Sequence, residues 1–405
     1  MFRLTRYMQA LANPEMASRR PQVAAPTGPV VIWNLIRRCN LTCKHCYATS
    51  ADKDFPGELS TEQVFGVMDD LKSYGVPVLI LSGGEPLMRP DIFEISHRAK
   101  DMGFYVGLSS NGTLINEENI EQIKKVGYNY VGVSLDGMRE IHDRFRRREG
   151  AFDESMQGIR LCREAGIKVG IRFTLTSDNA RDLPDLLKLL DDEDLDKFYL
   201  SHLNYAGRGN KNRGDDAHHR MTRNAMDLLF DTCWNHLTRG TPKEFVTGNN
   251  DADGAYLLQW VEQNLPEGRD RLMAMLQRWG GNASGVSISN IDNLGHVHPD
   301  TMWWDYDLGS VKDRPFSEIW EDTSDPLMAG LKLKDRPLEG RCAQCQHLPI
   351  CGGNSRTRAW QLTGNPWAED PGCYLNDQEI GLKAPVERLQ LSPYERRPAR
   401  QVREV

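Results

Sequence analysis

The chain has 405 residues with 39% hydrophobic side chains, and 50 Lys and Arg against 57 Asp and Glu leave a formal charge of −7. That balance supplies enough apolar side chains for a sizeable core, and a general electrostatic affinity for nucleic acid or an anionic membrane is not the default expectation. No apolar run approaches the ~18 residues of a membrane span, and Met1–Arg6 lacks the apolar core of a signal peptide, so the expected location is the cytoplasm.

In chain order, residues 1–28 carry Pro14, Pro21 and Pro26 among polar residues and read as an N-terminal extension. An alternation then begins. Val30–Ile36 is β-like, and Ser60-Thr61-Glu62-Gln63 resembles a capping box opening a helix to about Ser73. Further strands are expected at Val76–Ser82, Phe104–Ser109, Tyr130–Leu135, Lys168–Thr176 and Lys197–Leu203. Helices are expected between them, at about Ile92–Met102, Glu117–Lys125, Asp153–Ala165 and Leu183–Leu190. This strand–helix alternation over residues 29–204 is the pattern of a parallel α/β sheet, whose reactive face lies at the strand C-termini. Residues 205–284 read as a loop and helical connection, with helical patterns at Met226–Thr238, Ala255–Asn264 and Arg269–Arg278. A hairpin-like segment, Val286–His298, lies at the start of a cysteine-bearing region over 285–378, and 379–405 reads as a flexible tail.

The cysteine count is nine, so complete disulfide pairing is impossible, and thiolates clustered in a reducing compartment usually hold metal. Cys39, Cys43 and Cys46 follow the first strand as C-x3-C-x2-C. Three thiolates suit an iron–sulfur cluster with one iron left open, or a zinc loop completed from far away. Cys342, Cys345, Cys351 and Cys373 form a closed set that fits either structural zinc or a fully ligated [4Fe–4S] cluster. Cys162 and Cys233 sit alone in helical patterns and read as packing residues.

The C-x3-C-x2-C run followed by Tyr47, with Gly83-Gly84-Glu85-Pro86 after the second strand, resembles the radical S-adenosylmethionine (radical SAM) superfamily. The resemblance implies a partial (β/α)6 TIM-like barrel. There an open iron chelates the methionine amine and carboxylate, and a cluster electron releases a 5′-deoxyadenosyl radical. The glycine pair is expected to let backbone approach the methionine amine, with Glu85 as a partner. The resemblance extends cofactor contacts to Ser109, Asn111, Ser134, Asp136 and Arg172, although Asn111-Gly112 and Asp136-Gly137 are also common turn pairs. The second cysteine set resembles the auxiliary-cluster domain that follows many radical SAM barrels. Asp300 and Ser355 stand where its fuller version has thiolates, which leaves one auxiliary [4Fe–4S] cluster.

Longer stretches, Val31–Asn40, Leu81–Leu87, His202–Asn210 and Phe245–Gly254, resemble the NirJ-type radical SAM proteins of haem d1 biosynthesis over about residues 29 to 378. That resemblance implies the tetrapyrrole 12,18-didecarboxysiroheme as substrate, loss of its two propionate chains, and a reducing partner such as flavodoxin or ferredoxin. A substrate with several carboxylates calls for cationic and donor groups over an apolar floor. Tyr205, Arg208, Lys211, Asn249 and Asn250 are the candidates, with Arg213, Trp303 and Trp304 beside them; Arg208–Arg213 reads equally as a solvated loop. Arg144, Arg146, Arg147 and Arg148 read as surface charge, and His202, His296 and His298 as hydrogen-bonded residues rather than haem ligands. Other readings are a haem-forming tetrapyrrole decarboxylase, a peptide or sulfatase maturase, and a non-catalytic iron–sulfur or zinc-binding protein.

Overall fold

The computed structural model describes residues 1–13, 28–384, 386 and 388–394. Pro14, Pro21 and Pro26, and the tail beyond 394, lie outside the described residues. Seven strands run in sequence order: β1 (Val30–Ile36), β2 (Val78–Gly83), β3 (Tyr105–Ser110), β4 (Tyr130–Ser134), β5 (Val169–Leu175), β6 (Lys197–His202) and β7 (Glu244–Gly248). Each pairs in parallel with the next, so all C-terminal ends open on one face. β8 (Ile288–Ile291) adds to β1, again in parallel, and β9 (Val297–His298) folds back antiparallel on β8. The linear order β7-β6-β5-β4-β3-β2-β1-β8-β9 makes an open, partial barrel.

The strands are apolar because helices cover one side and the barrel interior fills the other. Val31, Trp33, Leu79, Leu81, Val106, Val131 and Ile171 are all buried. The helix Thr61–Tyr74 starts at the expected capping box, where Ser60 Oγ accepts from Gln63 N and Gln63 Oε1 accepts from Ser60 N. Cys162 and Cys233 pack in the main core.

Three segments differ from the sequence expectation. β7 lies within the stretch read as a helical connection; its sequence, Glu-Phe-Val-Thr-Gly, is too short and mixed to signal a buried strand. The described start of the segment read as an extension, residues 1–13, packs against the body. Phe2 forms an antiparallel bridge with Thr247, and Thr5 Oγ1 accepts from Phe245 N, which covers the free edge of β7. At the other end, Ile380 is buried and Arg213 donates to Ser392 O at 2.7 Å, so the described part of the tail is held against the body. Among the described residues, no helix is long and apolar enough to cross a membrane.

Candidate active site

The loop after β1 brings Cys39, Cys43 and Cys46 into one cluster with Leu41. N–H groups point at all three sulfurs. Leu41 N donates to Cys39 at 3.4 Å, Ser50 N to Cys46 at 3.4 Å, Arg146 Nη1 to Cys43 at 3.4 Å and Asn111 Nδ2 to Cys39 at 3.9 Å. Neutral thiols are weak acceptors, so this donor set is the surrounding of thiolates. Burial nevertheless pushes the Cys39 and Cys43 thiols upward. Bare thiolates would not persist there, whereas a bound cation reverses that balance. Four buried polar atoms around the same loop, His45 Nδ1, Ser50 Oγ, Arg146 Nε and Arg208 Nη2, have no partner among the described residues. Three thiols, converging donors and orphaned polar atoms fit an anionic iron–sulfur cluster.

The strand ends support this loop. Gly84 N donates to Ile36 O at 2.6 Å and Glu85 N to Arg38 O at 3.0 Å. A Cβ on Gly84 would lie 2.2 Å from Arg38 O, so the glycine is needed where β2 runs against the cysteine loop. The same glycine pair is where the resemblance expects backbone to approach the methionine amine, so its lack of a side chain also keeps that face of the turn open. Glu85 is fully buried and accepts from Ser110 Oγ at 2.8 Å, Asn111 N at 2.7 Å and Leu87 N at 3.2 Å. Burial lifts its carboxyl to about 7 against those three bonds. Asn111, held this way, also donates to Asn40 Oδ1 at 2.9 Å. Ser109, Ser134 and Arg172 come together on β3, β4 and β5: Arg172 pairs in register with Ser134 and donates to Ser109 Oγ at 2.6 Å. On the other side, Asn290 of β8 donates to Asn34 Oδ1 at 2.6 Å, and Asn34 donates to Tyr47 OH at 2.7 Å.

Several residues are placed differently from the sequence reading. Arg146, read as surface charge, is 6% exposed and ion-pairs with Asp136, which is fully buried. Arg208 is not a solvated loop cation. It donates to Cys43 O at 2.7 Å and Ser50 O at 2.9 Å, and Gly207 beside it sits where a Cβ would meet Tyr47 O at 2.1 Å. Tyr205 is 1% exposed and donates to Asp216 at 2.9 Å. Lys211 is exposed. Asn249 donates to Ser201 Oγ at 2.7 Å, and Asn250 to Gly372 O at 2.9 Å. Trp303 is buried, whereas half-buried Trp304 stacks on His298 with centroids 5.9 Å apart and meets the edge of Tyr47 at 5.7 Å. The histidines are hydrogen-bonded: His202 to Asp253 at 3.0 Å, His296 to Asp292 at 3.3 Å and His298 to Tyr306 O at 2.8 Å.

The second cysteine set also converges. Cys342, Cys345, Cys351 and Cys373 line one cavity, together with Ala252 at the start of the helix Ala252–Asn264. Burial pushes all four thiols up, Cys373 to about 12. His347 N donates to Cys345 at 3.3 Å, and the buried guanidinium of Arg356 lies 4.0 Å from Cys342 Sγ. The helix N-terminus adds positive potential on one side. The four thiols are half-buried around one cavity with the buried guanidinium of Arg356 beside them. Ser355 and Asp300 carry other loads. Ser355 caps the helix Arg356–Thr363, and Asp300 accepts from Ser284 Oγ and from Met302 N.

An open parallel barrel carrying three thiols beyond its first strand and a Gly-Gly-Glu turn beyond its second defines a class of enzyme. The Radical SAM superfamily profile matches residues 33–190, and the chain belongs to that superfamily. Its members work with a [4Fe–4S] cluster and S-adenosylmethionine. Within it, the chain is 52% identical to the pre-heme d1 synthase of Dinoroseobacter shibae over 97% of both chains. It is also 45% identical to the Fe-coproporphyrin III synthase of Methanosarcina barkeri, over 91% of this chain and 93% of that one. Among solved structures, Streptococcus suis SuiB bound to S-adenosylmethionine shares the fold, with a TM-score of 0.68 and 16% identity over 86% of this chain and 78% of SuiB.

Proposed function

We propose that the chain is a radical SAM enzyme of haem d1 biosynthesis that removes the two propionate side chains of 12,18-didecarboxysiroheme. The observation that carries this reading is the 52% identity with pre-heme d1 synthase across 97% of both chains. When bound, the cluster and S-adenosylmethionine supply a 5′-deoxyadenosyl radical able to take hydrogen from a propionate carbon. The chain's own residues hold and orient. Cys39, Cys43 and Cys46 ligate the cluster, Asn111 steadies Cys39, and Glu85 fixes the strand end that carries Asn111. Gly83, Gly84, Ser109, Ser134 and Arg172 line the strand ends where S-adenosylmethionine binds. Cys342, Cys345, Cys351 and Cys373, within an auxiliary domain over 285–378, hold a second [4Fe–4S] cluster; the four thiols around one cavity support this. The enzyme works in the cytoplasm with flavodoxin or ferredoxin as its reductant.

The test is anaerobic turnover with S-adenosylmethionine, dithionite and a panel of didecarboxysiroheme, iron coproporphyrin and peptides, read by mass spectrometry. Side-chain loss from didecarboxysiroheme alone, abolished by Cys39→Ala, is expected. Conversion of a peptide with didecarboxysiroheme untouched would overturn the reading. The 45% identity with Fe-coproporphyrin III synthase supports a second tetrapyrrole reading, and the product mass separates the two.

A further inference from the structure

Arg146 reaches the three-thiol loop from the last turn of the helix Arg139–Arg146. The helix and the loop are fixed to each other: Lys44 N donates to Phe145 O at 3.0 Å, and the His45 ring packs on Phe145 with centroids 4.7 Å apart. The guanidinium is 6% exposed. Its Nη1 donates to Cys43 Sγ at 3.4 Å, its Nη2 pairs with Asp136, and its Nε is buried with no partner among the described residues. Asp136 has no exposed surface, accepts from Thr174 N at 2.7 Å and lies 3.8 Å from His45 Nε2. Arg146 thus places one buried cation on the Cys43 sulfur, backed by the buried anion Asp136, while the Arg208 guanidinium is spent on the carbonyls of Cys43 and Ser50.

We propose that Arg146 is a positioning residue that sets the reduction potential of the cluster at Cys39, Cys43 and Cys46, with Asp136 as the counter-charge that limits its effect. The proposal rests on the reading of those three cysteines as cluster ligands. A cluster gains one negative charge when it accepts an electron. A cation hydrogen-bonded to a ligand thiolate therefore stabilises the reduced form more than the oxidised form, and a buried anion does the opposite. Weak solvent screening in the interior keeps both effects large. Arg146 makes the cluster easier to reduce, and the negative charge of Asp136 offsets part of that effect.

The two charges predict opposite signs, which a purely structural role does not. The holoenzyme is titrated potentiometrically with dithionite under anaerobic conditions. The cluster is followed by electron paramagnetic resonance and identified by the change in its signal when S-adenosylmethionine is added. Arg146→Gln should make reduction about tenfold less favourable, a fall of about 59 mV for one electron. Asp136→Asn should move the midpoint by a similar amount in the other direction, and Arg146→Lys, which keeps the charge, should lie between Arg146→Gln and the natural enzyme. A loaded cluster with an unchanged midpoint in both Arg146→Gln and Asp136→Asn would overturn the proposal. If Arg146→Gln fails to hold iron, Asp136→Asn and Arg146→Lys decide: a raised midpoint in the first with a modest fall in the second supports the proposal, and any other pattern overturns it. The underlying ligand reading fails separately, if Cys43→Ser keeps the S-adenosylmethionine-sensitive signal.

Discussion

Arg358 ties the barrel to the second cysteine site, and its replacement should be costly in a way that can be read site by site. Its Nε and Nη2 donate to the two carboxylate oxygens of Asp370, each at 2.8 Å, while Nη1 donates to Leu203 O at 3.1 Å and Asn249 O at 2.7 Å. The side chains of the pair are 1% and 0% exposed, so solvent does not screen them. Asp370 also accepts from Ser355 N and Gly372 N, which fixes the segment leading into Cys373. Arg358→Met strands a buried carboxylate, at about 3–5 kcal/mol. It also leaves two strand-end carbonyls short of a donor, at roughly 1–3 kcal/mol each where no water replaces it. Urea unfolding together with iron analysis reads both consequences. The midpoint should fall, and, on the proposal of two clusters, iron should drop from about eight per chain toward about four as the second site fails while the first persists. The double variant Arg358→Met, Asp370→Leu should regain part of the stability, because replacing both members of a buried pair removes the stranded charge. A single Arg358→Met variant within about 1 kcal/mol of the natural protein, with all its iron, would refute this reasoning.

Gly84→Ala puts a Cβ 2.2 Å from Arg38 O, which forces the cysteine loop away from β2. It should cost about 1–3 kcal/mol in unfolding measurements and lower iron content, and a fully loaded, equally stable variant would contradict the placement. Cys162→Ala and Cys233→Ala should each lose roughly 1 kcal/mol of packing energy and no iron, since both thiols are buried in the core far along the chain from either cysteine set. Iron loss in either variant would return that cysteine to the ligand count. Burial raises the Asp216 carboxyl from 3.8 to about 6, opposed mainly by Arg358. A folded pKa above the unfolded one gives a contribution that is full below about pH 4 and lost as pH rises through about 6. Asp216→Asn should therefore flatten the fall in stability across that window by about 3 kcal/mol; an unchanged slope in urea melts from pH 4 to pH 7 would contradict it.

The six strands β1 to β6 were legible because their apolar runs are long and end in Gly, Asn, Ser or Asp, as at Ser82-Gly83 and Leu135-Asp136. β7 was not, because a glutamate, a threonine and a glycine in five residues mask a buried strand whose support comes from β6 and Phe2. The cysteine spacings reported which thiols belong together. They did not report what surrounds them. Arg146 was hidden in a run of four arginines, yet its helix buries Ile141, His142 and Phe145 along one stripe. That helical spacing, next to an arginine on the same face, was the signal available. The substrate residues were harder still. Tyr205 and Asn250 are spent on Asp216 and Gly372, partners that tertiary packing alone brings near. Spacing in sequence carries no information about such pairings.

The most direct test of the proposed chemistry is isotope transfer. Didecarboxysiroheme deuterated along its two propionate chains is incubated anaerobically with the reduced enzyme and S-adenosylmethionine, and the released 5′-deoxyadenosine is weighed by mass spectrometry. Deuterium in 5′-deoxyadenosine, at two nucleosides for each tetrapyrrole that loses both chains, is the expected result. Turnover that leaves the nucleoside unlabelled, or labels it only from positions outside the propionates, would contradict hydrogen abstraction at those side chains.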